Sequence, residues 1–157
     1  MTQKREKHIE DIKTLTQRIK KTVNGFSDEQ LNTPYRENGW TVRQVINHIV
    51  DSHTNGFIRL KMMLIEDHPT LIPYDQDKWA ELPDTKTLDI EISLKILDGL
   101  QTRIAYLFEH ATEADYKRTA HHPEVGDVDF EHELENYSSH GNTHLSQITG
   151  LKEKMGW

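Results

Sequence analysis

Tyr137-Ser138-Ser139-His140-Gly141-Asn142-Thr143-His144-Leu145 is the stretch on which the reading of this chain turns. Its two histidines are four residues apart. On a helix, residues i and i+4 share a face, one turn apart. Two imidazoles so placed can grip one divalent cation, and histidine is the commonest protein ligand for such ions. A tight grip needs a third ligand. The best candidate is His48, in Trp40-Thr41-Val42-Arg43-Gln44-Val45-Ile46-Asn47-His48-Ile49-Val50-Asp51-Ser52-His53. The working expectation is a three-histidine site, with one ligand from an early helix and two from the last.

The same stretch sets the fold class, because helical spacing continues on both sides of it. Phe130, Leu134, Tyr137, Gly141, His144, Leu145 and Ile148 form one stripe, with His140 at its edge. Asp129 is the expected N-cap, and the helix should run to about Met155. Gly141 has no side chain beside the two histidines, which lets another helix come close.

Three further segments carry the same 3.6-residue period. From about Lys4 to Asn24, Ile9, Ile12, Leu15, Thr16, Ile19 and Val23 recur at steps of three and four, and Asn24-Gly25 ends the run. Ser27-Asp28-Glu29-Gln30 fits a capping box opening a short turn of helix. After an Asn38-Gly39 turn, Thr41 should cap a long helix to about Asp67, with Val42, Val45, Ile46, Ile49, Phe57, Leu60 and Leu64 facing inward. His48 lies on the flank of that sector and His53 inside it, so periodicity alone favours His53 as the inward residue. Thr85 or Thr87 is expected to open the remaining long helix to about His110, carrying Ile90, Leu94, Leu97, Gln101, Ile104 and Phe108.

Between these helices, Pro69 to Asp84 reads as a long loop, and loops of that length in compact domains are often functional. Its Tyr74 and Trp79 are expected to cover something. His121 to Val128 reads as a loop or short hairpin with Gly126 at the bend. Four long amphipathic helices predict an all-α four-helix bundle, and bundle cores are where such folds place metals.

Composition bounds the rest. With 157 residues the chain is expected to form a single domain, residues 1–157. There is no cysteine, so disulfides and thiolate metal sites are excluded, and any thiol chemistry needs a thiol from a substrate. The 26 acidic and 19 basic residues give a formal net charge of -7, with no basic cluster, which argues against a nucleic-acid partner. Apolar runs are too short for a membrane span. The charged start, Met1 to Glu6, has no apolar signal core, so a cytoplasmic location is expected.

Each candidate has a plainer reading. His140 and His144 also read as ordinary helix-face histidines that only make hydrogen bonds. His53 reads as a satisfied core histidine, and Asp51 as a solvated carboxylate or one that orients an imidazole. His121 and His122 sit in a loop from which they could reach a pocket rim, exposed residues being the plainer reading, and Arg59 and Lys61 read as surface charges.

The residues also resemble a known family. Gly39-Trp40-Thr41-Val42-Arg43-Gln44-Val45 leading into His48-Ile49-Val50-Asp51-Ser52-His53 is similar to the DinB/YfiT-like superfamily of metal-binding four-helix bundles. So are Pro73-Tyr74-Asp75 with Trp79-Ala80-Glu81-Leu82-Pro83-Asp84, His122-Pro123-Glu124 with Gly126, and His140-Gly141-Asn142-Thr143-His144. These blocks occur in order from about Asn38 to the end, and resemble the YfiT-like branch related to bacillithiol S-transferases. The resemblance implies that His48, His140 and His144 are the metal ligands, which settles the choice between His48 and His53. It also implies a homodimer. Members of the family carry the label of metal-dependent hydrolases, a label resting on analogy.

Three neutral nitrogen ligands leave a coordination position open, the mark of a catalytic metal site. The expected function is transfer of a low-molecular-weight, bacillithiol-like thiol to an electrophile, with the small-molecule thiol and electrophile as partners. The alternatives are a metal-dependent hydrolase that activates water, with Asp51 or Glu133 as base, and a non-catalytic metal-stabilised binding module. Three imidazoles suit Zn2+, Ni2+, copper or iron; Zn2+ is the expected ion and Ni2+ the runner-up.

Overall fold

A computed structural model describes residues 1–157. Four long helices dominate it: α1 (Gln3–Val23), α3 (Val42–Ile65), α6 (Ile90–His110) and α7 (Phe130–Met155). Three short helices fill the connections, α2 (Asp28–Leu31), α4 (Gln76–Ala80) and α5 (Pro83–Thr87). A one-turn 3-10 helix (Asp115–Lys117) precedes two short antiparallel strands, β1 (Thr119–His122) and β2 (Gly126–Asp129). No helix is long and apolar enough to cross a membrane.

The helix ends follow local chemistry. Thr2 and Asp129 accept hydrogen bonds from the Arg5 and His132 amides and so start α1 and α7. Thr41 and Gln44 form a reciprocal capping box at the start of α3, as Ser27 and Gln30 do for α2. Gly25 and Gly126 take the positive φ values of 78° and 86° that the turn after α1 and the hairpin bend require.

Two expectations need correction. The stretch from Pro69 to Asp84 is partly helical, because Asp75 accepts from the Lys78 amide and starts α4, and Pro83 sits at the first position of α5. Neither Thr85 nor Thr87 opens the third long helix. Leu88 is extended, and the Asp89 carboxylate accepts from the Glu91 amide, so α6 starts at Ile90. The segment left open between loop and hairpin is a hairpin, with Thr119 paired to Asp129 and His122 to Gly126.

Helices α1 and α3 each pack against both α6 and α7. The interior holds two apolar clusters. One includes Ile12, Leu60, Met63, Ile104, Phe108, Phe130 and Leu134. The other includes Leu15, Val45, Ile46, Ile49, Leu94, Leu97 and Ile148. On each of α3, α6 and α7 a polar residue falls between the positions that feed the two clusters: His53, Gln101 and His140. The core is therefore interrupted by a polar layer, and the candidate site opens from it.

Candidate metal centre

Helix α3 brings His48, and α7 brings His140 and His144. One ring nitrogen from each of the three lies within 4.8 Å of the others, and no fourth histidine, aspartate or glutamate joins the group. The i, i+4 spacing on α7 leaves the His140 and His144 ring centroids 4.5 Å apart. The Nε2 atoms of His48 and His140 are 3.0 Å apart. Metal–nitrogen bonds of about 2.0–2.1 Å place two nitrogens of a tetrahedral centre roughly 3.4 Å apart. The His48–His140 pair therefore has the spacing of two ligands on one small divalent cation, with a His144 nitrogen within 4.8 Å of both.

On α7 the other ring nitrogens are occupied. His144 Nδ1 meets Gln147 Oε1 at 2.9 Å, and His140 Nδ1 meets His53 Nε2 at 3.2 Å. Such partners fix a ligating imidazole's tautomer and orientation. Trp40 packs on His48 with centroids 4.6 Å apart and walls that ring from water. Burial, reinforced by the neighbouring imidazoles, pushes His48 down to about 3 and His140 far below the usual histidine range. Burial also lowers His144. All three are neutral at neutral pH, with lone pairs available.

Two cavities meet at these rings. The smaller, of about 360 Å³, is lined by all three histidines, by Trp40 and the Tyr35–Gly39 turn, and by Gln76 and Asp77 of α4. The larger, of about 850 Å³, shares His140, Gln76 and Asp77 and continues past Tyr74, Arg59, Asn136 and Glu133. Both fall within or close to the size range of small-molecule sites. Most of the residues that line them are polar or charged.

The structure sorts the other sequence candidates. His53 is 0% exposed and lies behind His140, hydrogen-bonded through Nδ1 to Gln101 Oε1 at 3.0 Å. Asp51 lines neither cavity. Burial and then Asp84 push its carboxyl up to about 6. Glu133 does line the larger cavity and is 4% exposed. Its Cα lies two turns from that of His140 along α7, roughly 10 Å at about 1.5 Å per residue. Burial raises its carboxyl above the usual range.

His122 and Arg59 also line the larger cavity, so neither is a plain surface residue. Arg59 donates from Nε and Nη2 to the Ile72 carbonyl at 3.2 and 2.7 Å. His121 pairs instead with Asp127 at 2.9 Å, away from the rings. Tyr74 lines the larger cavity against Trp79, with centroids 4.8 Å apart, but Trp79 itself remains 38% exposed. Sequence reasoning missed Asp77, the one carboxylate lining the smaller cavity, and Gln147, one turn from His144. The i, i+3 spacing of His144 and Gln147 was a usable signal; nothing in the sequence marks Asp77.

Comparison with known proteins identifies the family and the fold. The family model described as the DinB superfamily matches residues 11–148. A protein of Bacillus mycoides named "Putative metal-dependent hydrolase" is 41% identical over 152 residues, 97% of this chain and 87% of its own length. A Bacillus cereus protein of the same name is 42% identical over 149 residues, covering 95% and 86%. The solved structure of YfiT from Bacillus subtilis, described as a probable metal-dependent hydrolase with an unusual four-helix bundle topology, superposes with a TM-score of 0.96. It is 38% identical and covers 100% of this chain and 91% of that one.

Proposed function

The chain belongs to the DinB superfamily, and from that premise we propose that it is a metal-dependent enzyme whose cation is held by His48, His140 and His144. The observation that carries this reading is three neutral imidazoles, with no fourth protein ligand, opening onto a cavity. A closed four-ligand set would suit a structural ion; a three-ligand set suits chemistry. A divalent cation supplied there favours the deprotonated form of a thiol or water beside it.

The chain's own residues do the rest. The rings orient the nucleophile, held in place by Gln147 and His53. Trp40 restricts water on the His48 side. To Asp77, the carboxylate lining the smaller cavity, we assign the role of taking the nucleophile's proton and passing it to solvent. The larger cavity binds the second reactant, with Arg59, Asn136 and Glu133 available to its polar groups.

The reaction we favour is transfer of a low-molecular-weight thiol to an electrophilic carbon. Sulfur forms the new bond, the leaving group departs with its electron pair, and the thiol proton goes to Asp77. Two cavities meeting at His140 fit two substrates better than one. Hydrolysis is the second reading, favoured by the names of the relatives.

The test is turnover of a chromogenic aryl halide by zinc- or nickel-loaded protein, with and without small thiols. Thiol-dependent turnover should vanish in His144→Ala and fall by about 10-fold or more in Asp77→Asn with metal content kept. Turnover that ignores thiol and consumes water selects hydrolysis. Fully loaded protein inert toward thiol and ester substrates alike contradicts the enzyme reading.

A further inference from the structure

We propose that His53 and Gln101 form a positioning relay that sets the tautomer of His140 and so exposes its Nε2 lone pair to the cation site. The proposal rests on the metal reading above but is carried by a separate observation, the direction of a buried hydrogen-bond chain. Gln101 presents Oε1 to His53 Nδ1 at 3.0 Å. An amide oxygen can only accept, so His53 donates from Nδ1 and its Nε2 is bare. That bare Nε2 lies 3.2 Å from His140 Nδ1, which must then be the donor. His140 is left with an unprotonated Nε2, the atom that faces His48 Nε2 at 3.0 Å.

Each link forces the next. If Gln101 turned its amide nitrogen toward His53, every proton in the chain would move by one position. His140 would then carry hydrogen on Nε2 and could not ligate through it. Gln101 Nε2 is buried without a partner, and turning the amide would leave its oxygen there instead, so a glutamine at this position carries a desolvation cost that packing alone gives no reason to accept. His53 is fully enclosed, and apolar residues feed the core on either side of it along α3. An apolar side chain would fill that layer without needing a partner. A donor–acceptor chain ending on a ring of the three-histidine cluster gives the layer a purpose.

Two measurements test this. Long-range proton–nitrogen correlation spectra of 15N-labelled, metal-free wild-type protein should show His140 and His53 both protonated at Nδ1. His140 protonated at Nε2 overturns the relay, and this experiment needs no variant and no metal. Second, zinc affinity is measured by competition with a chelator. His53→Phe and Gln101→Leu should each weaken it by about 10–100-fold. His53→Gln, which can still accept from His140 and donate to Gln101, should recover most of the loss. Unchanged affinity in both Gln101→Leu and His53→Phe overturns the proposal. Should His53→Phe fail to fold, Gln101→Leu and the spectra still decide. A wild type that binds no zinc defeats the metal reading instead, while the tautomers of the metal-free protein continue to judge the relay.

Discussion

Burial governs protonation at individual residues here, in opposite directions for acids and bases. It keeps the clustered imidazoles neutral, with His48 near 3 and His53 near 4, and it lifts Asp51 to about 6. A carboxyl whose pKa is raised on folding stabilises the folded chain below its unfolded value of 3.8, and that contribution is lost as pH rises through 6. Asp51→Asn removes the penalty. The variant should match wild type near pH 3.5 and exceed it above pH 6 by roughly 1 kcal/mol, since the half-buried carboxyl is still partly screened by water. Urea midpoints at the two pH values check this; an equal or lower midpoint for the variant at neutral pH contradicts it. At this scale the sequence was partly legible. The i, i+4 pair on α7 announced itself, and His53 read correctly as a satisfied core residue. Periodicity could not rank His48 above His53, because both lie close to the apolar sector of α3 and only the partners on α6 and α7 separate them. Asp51 and Glu133 are candidate bases by type; Glu133 lines the larger cavity and Asp51 lines neither, a difference that spacing does not reveal.

Close approach between helices depends on two glycines that are not equivalent. A Cβ on Gly56 of α3 would stand 2.2 Å from the Tyr137 ring of α7. A Cβ on Gly141 would stand 2.4 Å from Leu15 Cδ2. Leu15 can swing the end of its side chain aside, whereas a buried tyrosine ring cannot bend. Alanine also gains about 1 kcal/mol over glycine inside a helix. Gly141→Ala should therefore be near neutral, while Gly56→Ala should lose roughly 1–3 kcal/mol, or about 2–4 °C of melting temperature per kcal/mol. Thermal melts of the metal-free variants compare them; equal losses would contradict this account of the α3–α7 contact. Gly56→Ala should also disturb His53, whose ring lies 5.3 Å from that of Tyr137. Element boundaries were legible where a cap stands alone, as at Thr41 and Asp129. They were misread before α6, where Thr85, Thr87 and Asp89 compete and the geometry of Leu88 decides.

Across the whole molecule, the bundle places its polar layer between two apolar clusters and lets that layer open at the junction of two cavities. Amphipathic periods make the bundle readable, since four stripes of similar length have few other ways to bury themselves. The long connection after α3 stood out by its length, and its α4 segment supplies Gln76 and Asp77 to both cavities. The cavities themselves were not readable, because they arise where α4, the hairpin and the start of α3 fold back over α7, contacts set by no local pattern. The central claim is that three rings from α3 and α7 hold one cation. Metal content per chain, measured by elemental analysis on protein purified without a nickel column and reconstituted with zinc, tests it most directly. The account predicts about one equivalent in wild type and in His121→Ala, and loss of that ion in His48→Ala, His140→Ala and His144→Ala. A wild type that takes up no ion, or triad variants that keep a full equivalent, would contradict it.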